Sequence, residues 1–359
     1  MLIRQVSMHA GGCGSLFLTV SGMRVMDGHG ERGSAEGRPF RIRTPDRLSL
    51  GGFLWRHPSS RPDRPVVVIA AATSVRCRYY ARFADYLHAN GFDVATFDYR
   101  GIGESRPASL SGMKGDWVDW GEQDLEAILQ HVQRTFPGQP VDVVAHSIGG
   151  FAVGAAPSAR YVRRIFTVGA QYAYWRDYGA DQRLRMVLKW HVLMPAVTRI
   201  FGYFPAKRLG WMEDTPAGVV RDWSRMKARF EDTVRQGIFI GGEREAEVIV
   251  QRFGKVLAPI LAVGLDDDPH GTQAALDRLL DYFTASCRLH LRIDPVETGQ
   301  EKIGHFAFFH DRFKETLWPT ALHWLRNGTL LPDGPGRLVR RAAPCPPGLT
   351  RPRAVRLER

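Results

Sequence analysis

The stretch VDVVAHSIGG at residues 141–150 sets a serine, Ser147, between an apolar run and a pair of glycines. A serine hydroxyl attacks a carbonyl at neutral pH only when an imidazole takes its proton and a carboxylate orients that imidazole. A sharp strand-to-helix turn would hold such a hydroxyl outward, in a crowded backbone that tolerates only very small residues two positions to either side. Gly149 meets this on one side; Ala145, the smallest substitute for glycine, stands on the other. The same turn puts the Ile148 amide at a helix N-terminus, where it can donate to a developing oxyanion. Nucleophilic attack by Ser147 on an acyl carbonyl is the chemistry this arrangement predicts.

Two partners must come from elsewhere in the chain. The carboxylate is expected in LDDDPH, directly after the apolar run APILAVG. Three adjacent carboxylates repel one another, so one serves the imidazole while the others face water. Counting from Gly264 favours Asp267 and the following Pro269 favours Asp268; Asp268 is preferred, with Asp267 as the alternative and Asp266 less so. The base is expected at His305 in KIGHFAFF, which keeps the order Ser, Asp, His. His146 lies at the turn and points elsewhere, His270 follows the acid, and His131, His290 and His323 sit within element patterns. His310 is the serious rival to His305.

The elements that would position these groups alternate regularly. Residues 38–56 read as an antiparallel pair with a central turn. RPVVVIAAAT, FDVATFDYRG, PVDVVAHSIGG and RRIFTVGAQY are buried strands, separated by the helical stretches CRYYARFADYLHANG and WGEQDLEAILQHVQRTF. This order predicts an α/β fold, a doubly wound and mostly parallel sheet. From about 171 to 244 long amphipathic stretches rich in Trp, Tyr, Arg and Met replace the strands, and a helical insertion is expected there. Strand pattern returns in APILAVGLDDD and CRLHLRI, followed by a closing helix over about 311–326.

These residues resemble the α/β-hydrolase superfamily over roughly 38–326. The resemblance rests on AHSIGG, on DYRGIGES at 98–105, on DDDP and on GHFAFF. More narrowly, DYRGIGESRP, DWVDWGEQDL and IGHFAFFH are similar to bacterial hydrolases labelled serine-aminopeptidase-like or esterase-like. The resemblance implies a second oxyanion amide after the first long parallel strand, from Ala72 or Thr73. The usual His-Gly of that loop is absent and AAATSV stands in its place, a departure like that at Ala145. It also implies that the 171–244 insertion is a cap. Dehalogenases carry aspartate where this chain has Ser147, and the elbow and acidic cap residues of prolyl iminopeptidases are not evident.

The chain of 359 residues carries 49 Lys and Arg against 37 Asp and Glu. From Gly328 onward seven arginines face two acids, so the segment 328–359 reads as a disordered, Pro- and Arg-rich basic tail. No nucleic-acid recognition module accompanies it, and no specific nucleic-acid partner is expected. Residues 1–37 read as a flexible, Gly-rich leader. The expected division is thus leader 1–37, hydrolase core 38–170, cap 171–244, core 245–327 and tail 328–359. Cysteines 13, 77, 287 and 345 are scattered, which argues against a disulfide framework and a metal cluster and fits a reducing cytoplasm. No run of about 20 apolar residues predicts a spanning helix, and no bare apolar helical face for lipid binding is discerned.

The function expected is hydrolysis of carboxylic esters or thioesters of a small, largely apolar acyl substrate through an acyl-enzyme, with no cofactor and no metal; a homodimer is compatible with the sequence. Acyl transfer on the same site, and a non-catalytic ligand-binding hydrolase fold, are the alternatives.

Overall fold

The computed structural model describes residues 37–59, 61–234, 243–342 and 345. The expected leader lies outside them apart from Gly37, as does the tail beyond Cys345.

Eleven strands are present among the described residues: β1 (Arg38–Arg43), β2 (Ser49–Trp55), β3 (Val66–Ala70), β4 (Asp93–Phe97), β5 (Val141–His146), β6 (Arg164–Val168), β7 (Tyr203–Phe204), β8 (Thr215–Pro216), β9 (Ile260–Leu265), β10 (Arg288–Ile293) and β11 (Arg337–Ala342). Nine form one sheet in the order β1-β2-β4-β3-β5-β6-β9-β10-β11. The six from β4 to β10 in that order run parallel to one another, as their connections through helices require. β3, β4, β5, β9 and β10 are buried along their whole length; β3, β4, β5 and β9 accordingly read as largely apolar runs, whereas β10 (RLHLRI) alternates and buries Arg288, His290 and Arg292 with hydrogen-bond partners. The expected doubly wound sheet is therefore present.

The chain lays β3 first, places β4 on one side of it, then crosses back to place β5 on the other. Connections leaving the carboxyl ends of β3 and β5 diverge, and the crevice between them is where a ligand site belongs in such a sheet. Both the AAATSV loop and the Ser147 turn leave the sheet at this point.

The insertion contains helical turns and a continuous helix over 183–201, built from Arg183–Val187, a wide turn at Leu188–Leu193, and Met194–Phe201. The expectation of helices alone needs a small correction. β7 and β8 pair antiparallel within it, because Gly202 in a left-handed conformation ends the helix and turns the chain back.

Two expectations fail at the carboxyl end. The segment from Gly328 is not uniformly disordered: β11 pairs antiparallel with β10 and closes that edge of the sheet. Composition marked it as solvated, but its arginines have carboxylate partners, Arg337 with Asp266 at 2.7 Å and Arg340 with Asp277 at 3.4 Å. The cysteines are not all isolated either, since Cys287 and Cys345 form a disulfide across 58 residues of sequence. Cys287 precedes β10 and Cys345 follows β11, so the pairing of Arg288 with Ala342 brings them together. Linear spacing could not reveal this, and the cysteine argument for a cytoplasmic location falls with it.

Candidate active site

Ser147 follows β5 and precedes the helix Ile148–Ala155, with φ 54° and ψ −118°. This is a left-handed, strained conformation for a residue with a side chain, and it persists because both flanks are fixed. Its amide donates to the Val168 carbonyl at 3.1 Å. A Cβ at Gly149 would sit 2.5 Å from the Ala70 carbonyl oxygen, so glycine is required there, whereas Ala145 lies within β5, opposite Ala70 and Thr167, where a methyl group fits.

The three aspartates after β9 take three distinct partners. Asp266 pairs with Arg292 at 2.8 Å and with Arg337. Asp267 accepts the amides of Ile303 and Gly304 at 2.9 and 2.8 Å, which ties the acid loop to the loop bearing His305. Asp268 reaches His305 itself, with Oδ2 2.6 Å from Nδ1. Arg292 adds a second brace by donating to the Gly271 and Leu265 carbonyls at 2.7 and 2.8 Å. Burial opposes ionisation of Asp268, but the adjoining imidazole of His305 and the donor from the following loop overcome it and hold the carboxyl well below the usual range.

The Asp268–His305 pair packs against Gly169, the residue after Val168, so it stands beside the Ser147 turn. A Cβ on Gly169 would lie 3.0 Å from Asp268 Oδ2 and 3.1 Å from His305 Nδ1. Gly169, at φ 54°, is needed at this contact, and nothing in the local pattern RRIFTVGAQY marks it. His310 is placed differently: its ring meets Tyr79 edge-on at 5.7 Å, away from the aspartates.

Of the two amides expected to supply a second oxyanion donor, Ala72 is unsuitable. Its N–H already donates to the Tyr80 hydroxyl at 2.9 Å. Thr73 is the remaining candidate, on a loop held to the 171–244 insertion by Ser74, whose hydroxyl bonds that of Thr215 and whose carbonyl accepts from the Glu213 amide. Ile148, at the first position of its helix, has no preceding turn to accept its amide hydrogen.

His146 proves to be part of the framework. Its Nδ1 lies 2.7 Å from the Tyr80 hydroxyl and its Nε2 lies 2.8 Å from the His305 carbonyl oxygen. The neighbouring Tyr79 hydroxyl donates to the Phe306 carbonyl at 2.8 Å. Burial pushes the His146 imidazole down to about 3, so it stays neutral.

The roof of the site is aromatic. His270 lies 5.2 Å ring to ring from His305 and is enclosed by Tyr178, Trp190 and Trp223 at 6.1, 5.8 and 6.4 Å. Trp190 and Trp223 stack on each other at 4.6 Å. Burial, then the nearby His305, depress the His270 imidazole to about 3. Sequence reasoning gave His270 no role; its position immediately after the acid loop was the available signal. Ser147 is 2% exposed and His305 8%, so both are buried.

The motif DYRGIGES is architectural. Asp98 accepts the amides of Cys77 and Glu104 at 2.6 and 2.8 Å, and Gly103 at φ 43° passes so close that a Cβ would strike the Asp98 carboxylate. Arg100 pairs with Asp124 and Asp46 at 2.8 and 2.7 Å.

Among the described residues, one group has metal-ligand spacing: His57, His88 and Asp93, with ligand atoms within 4.8 Å of one another. Asp93 begins β4, at the opposite end of the sheet from Ser147, and its carboxylate already accepts from His57 and Gln139.

A family model described as serine aminopeptidase, S33, matches residues 61–290, more than half of the chain. The chain belongs to this family of α/β-hydrolases. An uncharacterized protein of Mycobacterium tuberculosis is 30% identical to this hydrolase over 154 residues, covering 39% of the chain and 50% of the relative. The chain thus spans about half the length of the curated relatives it matches. Among solved structures, an esterase of Pyrococcus furiosus has a TM-score of 0.51 at 14% identity over 81% of this chain and 90% of its own. A puromycin hydrolase has 0.52 at 16% identity over 86% and 41%. At such identities the likeness is one of fold.

Proposed function

We propose that this hydrolase cleaves carboxylic ester or thioester bonds of small, largely apolar acyl substrates through an acyl-enzyme. Ser147 Oγ attacks the carbonyl carbon while His305 Nε2 takes its proton, and the Ile148 and Thr73 amides receive the oxyanion. The proton then passes from His305 to the leaving alkoxide or thiolate as the acyl–oxygen or acyl–sulfur bond breaks. Water, deprotonated by the same imidazole, attacks the acyl-enzyme, releases the acid and restores Ser147. Asp268 fixes His305 with Nδ1 as donor and stabilises the imidazolium that forms.

The observation that carries this reading is the 2.6 Å contact between Asp268 and His305, set against the Ser147 turn by Gly169. Preference for an apolar acyl group is supported by the Trp190, Trp223 and Tyr178 roof. Two acidic residues of the cap are engaged by cations rather than poised for a substrate ammonium, Glu213 by Arg76 and Lys207 and Asp214 by Arg106, which supports an ester over a peptide N-terminus.

The test is a panel of p-nitrophenyl esters of increasing acyl length beside aminoacyl p-nitroanilides. Ester turnover that falls by several orders of magnitude in Ser147→Ala is the expected result. Anilide cleavage exceeding ester cleavage, or turnover equal in the variant, would overturn it.

A further inference from the structure

The continuous cap helix over 183–201 carries two apolar stripes. Met186, Trp190, Met194 and Thr198 recur every four residues and are buried. Leu184, Leu188, Val192 and Ile200 follow the same spacing, offset by two residues, which places them on the opposite side of the helix. The wide turn at Leu188–Leu193 holds more residues per turn than an ordinary helix and keeps a spacing of four in line. Only the first stripe has a core to cover. The second faces solvent, with Ile200 78%, Leu184 72%, Val192 56% and Leu188 54% exposed, and the exposed side chains of Leu193, Phe201 and Leu209 extend it.

An uncovered apolar stripe of this length marks a binding surface. The charge around it selects the partner. Residues 182–212 hold six cations, Arg183, Arg185, Lys189, Arg199, Lys207 and Arg208, and no acidic residue. Arg185, Arg199 and Arg208 are exposed along the same helix and the turn that follows it. Long basic side chains flanking an exposed Leu, Ile and Phe face are the chemistry of a helix that lies in the plane of an anionic lipid surface. The positive field draws the helix to the headgroups while the apolar stripe enters the acyl boundary. No helix among the described residues is long and apolar enough to cross a membrane, so the contact is with the surface.

We propose that this cap face docks the protein onto an anionic bilayer surface. The opposite stripe of the same helix contributes Trp190 to the roof over His270 and His305, so docking sets the roof against the phase in which apolar acyl compounds collect. The surface contact does not depend on the proposed chemistry and should survive in Ser147→Ala.

The experiment is sedimentation of the full chain with vesicles of phosphatidylcholine alone, and of phosphatidylcholine containing one quarter phosphatidylglycerol. Partition onto the anionic vesicles stronger by about tenfold or more, weakened by salt, is the expected result. The double variant Leu188→Ser with Ile200→Ser, shown to be folded by circular dichroism, should lose about tenfold or more. Arg185→Gln with Arg199→Gln should remove most of the preference for anionic lipid. Failure to partition would overturn the proposal, as would binding undiminished in the Leu188 and Ile200 variant, which would assign it to the basic carboxyl-terminal segment. A dimer in sedimentation velocity that is abolished by that variant, without vesicle binding, would make a second copy the partner instead.

Discussion

His146 Nε2 lies 2.8 Å from the carbonyl oxygen of His305. A carbonyl only accepts, so Nε2 carries the hydrogen and Nδ1 of the neutral ring accepts from the Tyr80 hydroxyl. That hydroxyl accepts in turn from the Ala72 amide. One chain of hydrogen bonds thus joins the loop after β3, the residue before Ser147 and the backbone of His305. The same side chain could have been read as an inert core histidine, and its partners show it to be a positioning residue.

Breaking this chain should misplace His305 without removing it. His146→Phe is expected to slow acylation of Ser147 by about 10- to 100-fold, since displacement on the order of 1 Å has effects of that size. The rate of labelling by a fluorophosphonate, measured with Tyr80→Phe alongside, checks this. Tyr80→Phe should act in the same direction, and a stable fold with an unaltered rate in both would contradict the positioning role.

The three neighbouring aspartates should separate cleanly. Asp268→Asn is expected to reduce ester turnover by about 10⁴, because the His305 tautomer is no longer fixed. Asp266→Asn should lower stability through its lost pairing with Arg292 and Arg337 and leave chemistry largely unchanged. Asp267→Asn, which loosens the Ile303 and Gly304 amides, should fall between. Turnover and urea midpoints of the three variants provide the comparison.

Acid should destabilise the fold through its buried imidazoles. His146 and His270 are depressed to about 3 by burial, from an ordinary value of 6.5. Between these limits the unfolded chain binds protons that the folded chain does not, so stability falls as pH drops from 6.5 towards 3. The urea midpoint should therefore decline between pH 7 and pH 4.5, and His270→Gln should lessen that decline.

The Cys287–Cys345 disulfide closes a span of 58 residues and fastens β11 to the sheet edge. Cys345→Ser is expected to lower stability by about 2–4 kcal/mol. Thermal melts of the variant, and of the wild type with and without dithiothreitol, measure the effect.

Much of the core was legible because buried parallel strands must be apolar throughout, and β3, β5 and β9 announce themselves in VVVIA, VDVVAH and ILAVGL. The Ser147 turn was legible because crowding dictates the small residues around it. What escaped were features decided by tertiary pairing. β11 looked like a solvated basic tail because its arginines find Asp266 and Asp277 only in three dimensions, and Cys345 meets Cys287 only through that strand. The solvent-facing stripe of the helix over 183–201 was hidden for a related reason: with apolar residues on both sides, periodicity alone could not say which side the core would cover. Ala72 was misread because nothing local shows that Tyr80 would take its amide.

The measurement that bears most directly on the central claim is intact mass after exposure to a fluorophosphonate probe, on the wild type and on Ser147→Ala, each shown to be folded. A single adduct on the wild type and none on the variant is the predicted result. An unmodified wild type, or an adduct that survives in the variant, would contradict the assignment of Ser147 as an activated nucleophile.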